Sequence, residues 1–239
     1  MNTIKIEKKQ VRMVAHRGLS GLEKENTCAA FIAAGNRSHF GIETDIRPTL
    51  DGRYVCMHDN HTARVAVDDL QIDRCTFDTL RSLILTGKDG SKQRVDLHIP
   101  TLEEYLDICR RYEKTSVLEL KDTLTAADIE KIIGIARNFG WLEHVIFISF
   151  SLEAMQTVRR LLPDQPCQYL VEQYTDDLPE LLQREKLDLD IGYPALTAQR
   201  VQELHARGIV VNCWTCDDPA AAAALVEMGL DYITSNILE

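Results

Sequence analysis

The chain has 239 residues, 45% of them apolar and 27% charged, enough for one large α/β domain with a sizeable core. Its formal charge is −10, so no excess of Lys and Arg is available to neutralise nucleic-acid phosphates, which excludes a general nucleic-acid binder. Residues 1–10 lack the apolar run of a signal peptide, no stretch reaches membrane-span length, and seven scattered cysteines follow no disulfide-scaffold spacing; the expectation is a cytoplasmic protein with reduced thiols.

Short β-rich apolar runs alternate with helical patterns along the chain. Strands are expected at 11–15, 40–46, 116–120, 145–150, 167–171, 187–191, 209–214 and 231–234. Thr101 and Glu104 have capping-box spacing just after Pro100, and Thr125 opens a helix whose Ile129, Ile132, Ile133 and Ala136 share a face. Residues 197–208 repeat that construction. Asp218-Pro219 starts an Ala-rich helix that Gly229 closes.

No linker, low-complexity tract or repeat appears, so one domain is expected, with its core at about 11–236. Eight strands alternating with helices in this length predict a single-domain (β/α)8 TIM barrel. An open doubly wound sheet is the alternative, but its G-x-G-x-x-G phosphate fingerprint is missing. One segment breaks the alternation. Residues 51–100 begin with a turn at Asp51-Gly52, continue as a short strand at 54–57, and carry a weak helix at 76–83; they read as an insertion after the second barrel strand.

Strand side chains alternate sides, so chemistry can be read by parity. In "VRMVAH" the apolar set Val11, Met13 and Ala15 opposes Arg12, Val14 and His16. In "GIETDI" Glu43 and Asp45 oppose Ile42, Thr44 and Ile46, and in "VLELK" Glu119 and Lys121 oppose Leu118 and Leu120. If the apolar sets face the helices, the charged ones converge inside the barrel mouth. A lone histidine at a strand end is more often structural than catalytic, and one Glu-x-Asp pair is weak. Charges on one face of two near-core strands are harder to dismiss, because buried carboxylates repel unless a cation holds them. All-oxygen ligation favours a hard ion, Mg2+ or Ca2+, over zinc. A phosphate fits the remaining basic groups, Arg17 and Lys121.

The ordered set His16-Arg17-Gly18, Glu25-Asn26-Thr27, Glu43-Thr44-Asp45, Thr49-Leu50-Asp51-Gly52, His58-Asp59, Ile99-Pro100-Thr101-Leu102-Glu103-Glu104, Glu119-Leu120-Lys121, Ser149-Phe150 and Trp214-Thr215 resembles the glycerophosphodiester phosphodiesterases over nearly the whole chain. The resemblance implies a (β/α)8 barrel that hydrolyses glycerophosphodiesters to sn-glycerol 3-phosphate and an alcohol. It implies Glu43, Asp45 and Glu119 as ligands of the divalent cation, and His16 and His58 as general acid and base. It also implies that Arg17 and Lys121 hold the phosphate and that Trp214 lines the pocket near the glycerol. The chain departs from that pattern at Lys24, at Arg64-Val65, at Cys216-Asp217 and at residues 233–237, where the usual Thr-Asp is missing. The runner-up is a related barrel acting on lysophospholipids or sugar phosphodiesters, and a silent phospholigand-binding barrel is a third reading.

Other signals carry less. Cys213 and Cys216 have C-x-x-C spacing, but residues three apart on a strand face opposite sides. His61 reads as a solvated loop residue, and His39, His98, His144 and His205 as surface or boundary residues. Asp188 and Asp190 share one parity, and the expectation there is a strand entrance facing solvent.

Overall fold

The computed structural model describes residues 2–92 and 94–239. Eight parallel strands form the wall of a barrel: β1 (Arg12–Ala15), β2 (Gly41–Pro48), β4 (Thr115–Leu120), β5 (Val145–Ser149), β6 (Cys167–Val171), β7 (Asp188–Gly192), β8 (Val211–Trp214) and β9 (Tyr232–Ser235). All eight lie where the apolar runs predict them, within two residues at each start. Seven parallel ladders link them in the order β8-β7-β6-β5-β4-β2-β1-β9. No ladder joins β8 to β9 among the described residues. That seam is held instead by Asp231 N donating to Val211 O (3.1 Å), by Cys216 N donating to Thr234 O (3.0 Å), and by Val211 N donating to Asp231 Oδ2 (2.8 Å).

The remaining strand, β3 (Tyr54–Cys56), pairs antiparallel with the far end of β2 and opens the insertion. The insertion carries a 3-10 turn (Ile72–Arg74), a short α-helix, α2 (Phe77–Arg81), and its own apolar cluster around Val55, Ile72, Leu80 and Ile99. Arg81 grips Glu104 through both oxygens (2.7 and 2.8 Å), tying the insertion to the start of α3 (Leu102–Arg111).

The other helices are α1 (Cys28–Gly35), α4 (Ala126–Asn138), α5 (Leu152–Leu161), α6 (Leu178–Glu185), α7 (Ala198–Ala206) and α8 (Pro219–Met228). Their starts follow from the sequence. Thr101 and Thr125 form capping boxes with Glu104 and Asp128, satisfying orphan N–H groups at each helix entry. Gly229 adopts the left-handed conformation that closes α8. No helix is long and apolar enough to cross a membrane among the described residues.

The strand alternation sorts as parity predicts. Met13, Ala15, Ile42, Ile46, Leu118 and Leu120 join the large layer between strands and helices, whereas Val14, Val117, Ile146 and Leu170 fill the barrel interior. Burying the outer layer at about 25 cal/mol per Å² is the main force holding the helices to the strands. The polar set of the same strands is left to crowd the mouth. All seven cysteines are free, and Cys213 and Cys216 are both buried.

Two surface expectations are overturned here. His39 is buried, because its Nε2 meets the carbonyl of Leu238 (3.0 Å) at the far end of the chain. Asp190 is also buried, at 1% exposure. Asp188 sits at the strand entrance and accepts a hydrogen bond from Val210 N, but Asp190 lies two residues further in and turns toward the barrel axis.

Candidate active site

His16 directly follows β1, and the next two residues take left-handed backbone, Arg17 at φ 54° and Gly18 at φ 75°. A side chain at Gly18 would come within 2.7 Å of Ala30, so only glycine fits the turn. The turn has a chemical result. It aims Arg17 N at Glu43 Oε2 (2.7 Å) and Gly18 N at Glu43 O (3.2 Å), anchoring the end of β1 to β2.

Glu43 and Asp45 project from β2 and Glu119 from neighbouring β4, with Asp45 and Glu119 in register. One oxygen from each carboxylate lies within 4.8 Å of the others, and all three residues are buried. Asn26 orients Asp45, donating Nδ2 to Oδ2 (2.7 Å), while Lys121 Nζ sits 2.7 Å from Asp45 Oδ1 and 2.6 Å from Glu119 Oε1. Burial, joined by the charges of Asp45 and Glu119, pushes Glu43 well above the usual carboxylate range. Burial and Asp45 push Glu119 up to about 7 despite Lys121. Asp45 goes the other way: burial disfavours its charge, but Lys121 and Arg17 outweigh that and hold it down.

The donor set fits a divalent cation. Three converging carboxylates share two cations, Lys121 and Arg17, whose Nε lies 3.4 Å from Asp45 Oδ2, and Glu43 Oε1 is buried with no hydrogen-bond partner among the described residues. Oxygen-only donors suit a hard ion.

Two imidazoles flank this cluster, and in each the Nδ1 position is held by an acceptor. His16 Nδ1 lies 2.8 Å from Asn236 Oδ1, and the amide's orientation is fixed because its Nδ2 donates to Asp217 Oδ2 (2.6 Å). An amide therefore stands next to the ring, with the Asp217 carboxylate on the far side of that amide. His58 Nδ1 lies 2.6 Å from Asp59 Oδ1. Both contacts put the neutral ring's proton on Nδ1 and leave Nε2 as the reactive nitrogen. Burial, with Arg17 adding to it, pushes His16 down to about 4, and burial lowers His58 as well.

A belt of ion pairs connects these parts. Arg17 Nη1 donates to Glu25 (2.9 Å), and Arg64 grips Glu25 through both oxygens (2.6 and 2.9 Å). Arg64 Nε also donates to Asp59 (2.6 Å), the acceptor of His58. Burial raises Glu25, but the hydrogen bonds from Arg64 and the charge of Arg17 win and hold it down at about 2.

A cavity of about 250 Å³ opens on this constellation. His16, Arg17, Glu43, His58, Glu119 and Trp214 all line it; Asp45 and Lys121 stand behind, in contact with the lining carboxylates. Lys121 is engaged by Asp45 and Glu119 rather than facing the cavity. The opposite wall is apolar, built from Ile148, Leu170 and Phe150, with Trp214 edge-on to Phe150 at 5.5 Å between centroids. Glu172 and Asp190 also line the cavity, and sequence reasoning missed both. For Asp190 the signal was present, since it has the parity with Asp188 that Glu43 has with Asp45.

A family model for the glycerophosphoryl diester phosphodiesterase family matches residues 16–238. The chain belongs to that family. A glycerophosphodiester phosphodiesterase from Caldanaerobacter subterraneus subsp. tengcongensis is 27% identical over 230 residues, covering 94% of this chain and 93% of its own. Among solved structures, a phosphodiesterase from Oleispira antarctica in complex with the product sn-glycerol-3-phosphate superposes with a TM-score of 0.89 at 26% identity, covering 98% of this chain and 96% of that one. A glycerophosphodiester phosphodiesterase from Parabacteroides distasonis gives 0.81 at 26% identity, covering 96% and 94%. The two solved structures share this fold over nearly the whole chain.

Proposed function

We propose that this chain is a metal-dependent hydrolase that cleaves glycerophosphodiesters to sn-glycerol 3-phosphate and an alcohol, with His16 and His58 moving the protons. The observation that carries the reading is the pair of imidazoles facing one cavity, each held at Nδ1, beside a buried three-carboxylate cluster.

A phosphodiester is a poor electrophile with a poor leaving group, so both ends of the displacement need proton transfer. One Nε2 takes the proton of the attacking hydroxyl; the other, protonated, gives its proton to the departing alkoxide. Burial disfavours the charged form of both rings, and the diester's own negative charge favours the imidazolium that the acid step requires. Arg17, held by Glu25 and by its own N–H on Glu43, presents a fixed guanidinium to the phosphate oxygens. Glu43, Asp45 and Glu119 would hold Mg2+ or Ca2+, which supplies further neutralisation of charge on the phosphate. The apolar wall with Trp214 receives the glycerol carbons.

The test is glycerol 3-phosphate release, in a coupled assay, from glycerophosphocholine, glycerophosphoethanolamine and glycerophosphoinositol with Mg2+, Ca2+ or EDTA. Release from at least one diester with an added ion, abolished by EDTA, is expected. No release from any of them by ion-loaded protein overturns the substrate assignment, and undiminished release in EDTA overturns the role of the three carboxylates.

A further inference from the structure

Asp190 is a buried acid that nothing in the chemistry above uses. It is 1% exposed, its Oδ1 has no hydrogen-bond partner among the described residues, and it lines the cavity that holds the two imidazoles. A buried polar group without a partner is costly, and in a native protein it calls for an explanation. Its neighbours do not supply one. In register, Asp190 is flanked by Leu170 on β6 and Asn212 on β8. Leu170 is apolar, and Asn212 donates to Gln168 (3.0 Å) and accepts from Thr234 (3.3 Å) rather than bonding Asp190 Oδ1. Nor does it join the metal cluster, which comprises Glu43, Asp45 and Glu119.

Its position narrows the use. In the strand order, β7 is four steps from β2 in either direction round the ring, so Asp190 stands across the barrel from Glu43 and Asp45. A substrate whose phosphate sits with Arg17 and the carboxylates therefore reaches Asp190 with the part of its glycerol farthest from phosphorus. At about 250 Å³ the cavity has room for a three-carbon polyol phosphate. Trp214 Nε1, a buried donor with no partner among the described residues, lines the same cavity.

We propose that Asp190 is a specificity-determining residue: its carboxyl hydrogen-bonds the terminal glycerol hydroxyl, the one farthest from the phosphate, and so selects deacylated diesters over lysophospholipids, in which an acyl group can replace that hydroxyl. A carboxyl accepts from a hydroxyl in either protonation state and donates to it when protonated. An ester oxygen in place of the hydroxyl removes the donor and leaves the carboxyl of Asp190 facing an acceptor. The proposal rests on the glycerophosphodiester reading above.

The experiment compares glycerophosphocholine with 2-hydroxypropyl phosphocholine, which lacks only the terminal hydroxyl, using Mg2+-loaded wild type, Asp190→Leu and Asp190→Asn. Calorimetric binding of sn-glycerol 3-phosphate and of propane-1,2-diol 1-phosphate runs alongside. Wild type is expected to favour the hydroxylated diester by roughly 10²-fold in kcat/KM, since a site built to pair with a hydroxyl rejects the analogue without it. Asp190→Leu brings the two within a few-fold, and Asp190→Asn keeps part of the preference. An unchanged preference in Asp190→Leu that melts and binds Mg2+ as wild type does overturns the role of Asp190. Should Asp190→Leu not fold, equal cleavage of both diesters by wild type overturns it without any variant. If wild type cleaves neither of these two choline diesters, equal binding of the two monophosphates still overturns the Asp190 role, separately from the activity assignment.

Discussion

Alanine at His16 or at His58 lowers turnover on glycerophosphocholine by about 10²–10⁴-fold, the usual worth of a positioned proton-transfer group, and leaves divalent-ion affinity within a few-fold of wild type. The two halves of that expectation separate because neither ring belongs to the carboxylate cluster. His16 spends Nδ1 on Asn236 and His58 spends it on Asp59, so each offers a single nitrogen, and both nitrogens are needed for protons. Kinetics on glycerophosphocholine and Mg2+ titration by calorimetry check the two halves on the same preparations. A variant that loses metal binding along with activity would move that imidazole into the ligand set. A variant that keeps full turnover would remove it from the reaction.

Lys121→Met destabilises the metal-free protein by about 3–5 kcal/mol, the cost of stripping one partner from a buried ion pair, and Mg2+ or Ca2+ restores part of the loss. The Lys121 side chain is 9% exposed and its Nζ bridges Asp45 (2.7 Å) and Glu119 (2.6 Å), so methionine leaves two buried carboxylates facing a third. An ion that binds only the folded state raises stability by mass action, and it does so more where the charge is most needed. Urea unfolding in EDTA and in excess ion, for wild type and variant, gives the four numbers. Equal stability of variant and wild type in EDTA would mean that the carboxylates neutralise themselves by taking up protons.

The site was legible where strict alternation met two charges. Glu43/Asp45 and Glu119/Lys121 each stand opposite a set of apolar residues, and burial of one face fixes the other. Asp188/Asp190 carry the same pattern and misled, because parity gives the face of a strand and not the depth along it. Depth follows from register, and the pairing of Asp190 with Leu170 and Asn212 depends on strands far apart in sequence. His39 failed for a related reason: the carbonyl that satisfies it belongs to Leu238, 199 residues away. Arg64 stands out in the sequence only as part of a departure from the family pattern, and its ion pairs with Glu25 and Asp59 form only when folding gathers the three. The fold was the easier part. Its strands and capped helices are specified locally, by apolar runs and by Thr-x-x-Glu or Thr-x-x-Asp spacing.

The seam between β8 and β9 has a consequence for dynamics. Every other strand contact in the wall is a ladder, but here two backbone hydrogen bonds stand at either end of a stretch without them. Local opening follows the weakest set of backbone bonds, so amides of β8 and β9 exchange with solvent sooner than those of β4, which is laddered on both sides. Trp214 and Thr234, one from each strand at the seam, both line the cavity. A ligand touching both joins the two edges across the gap, and slower amide exchange at the seam becomes a direct reading of occupancy.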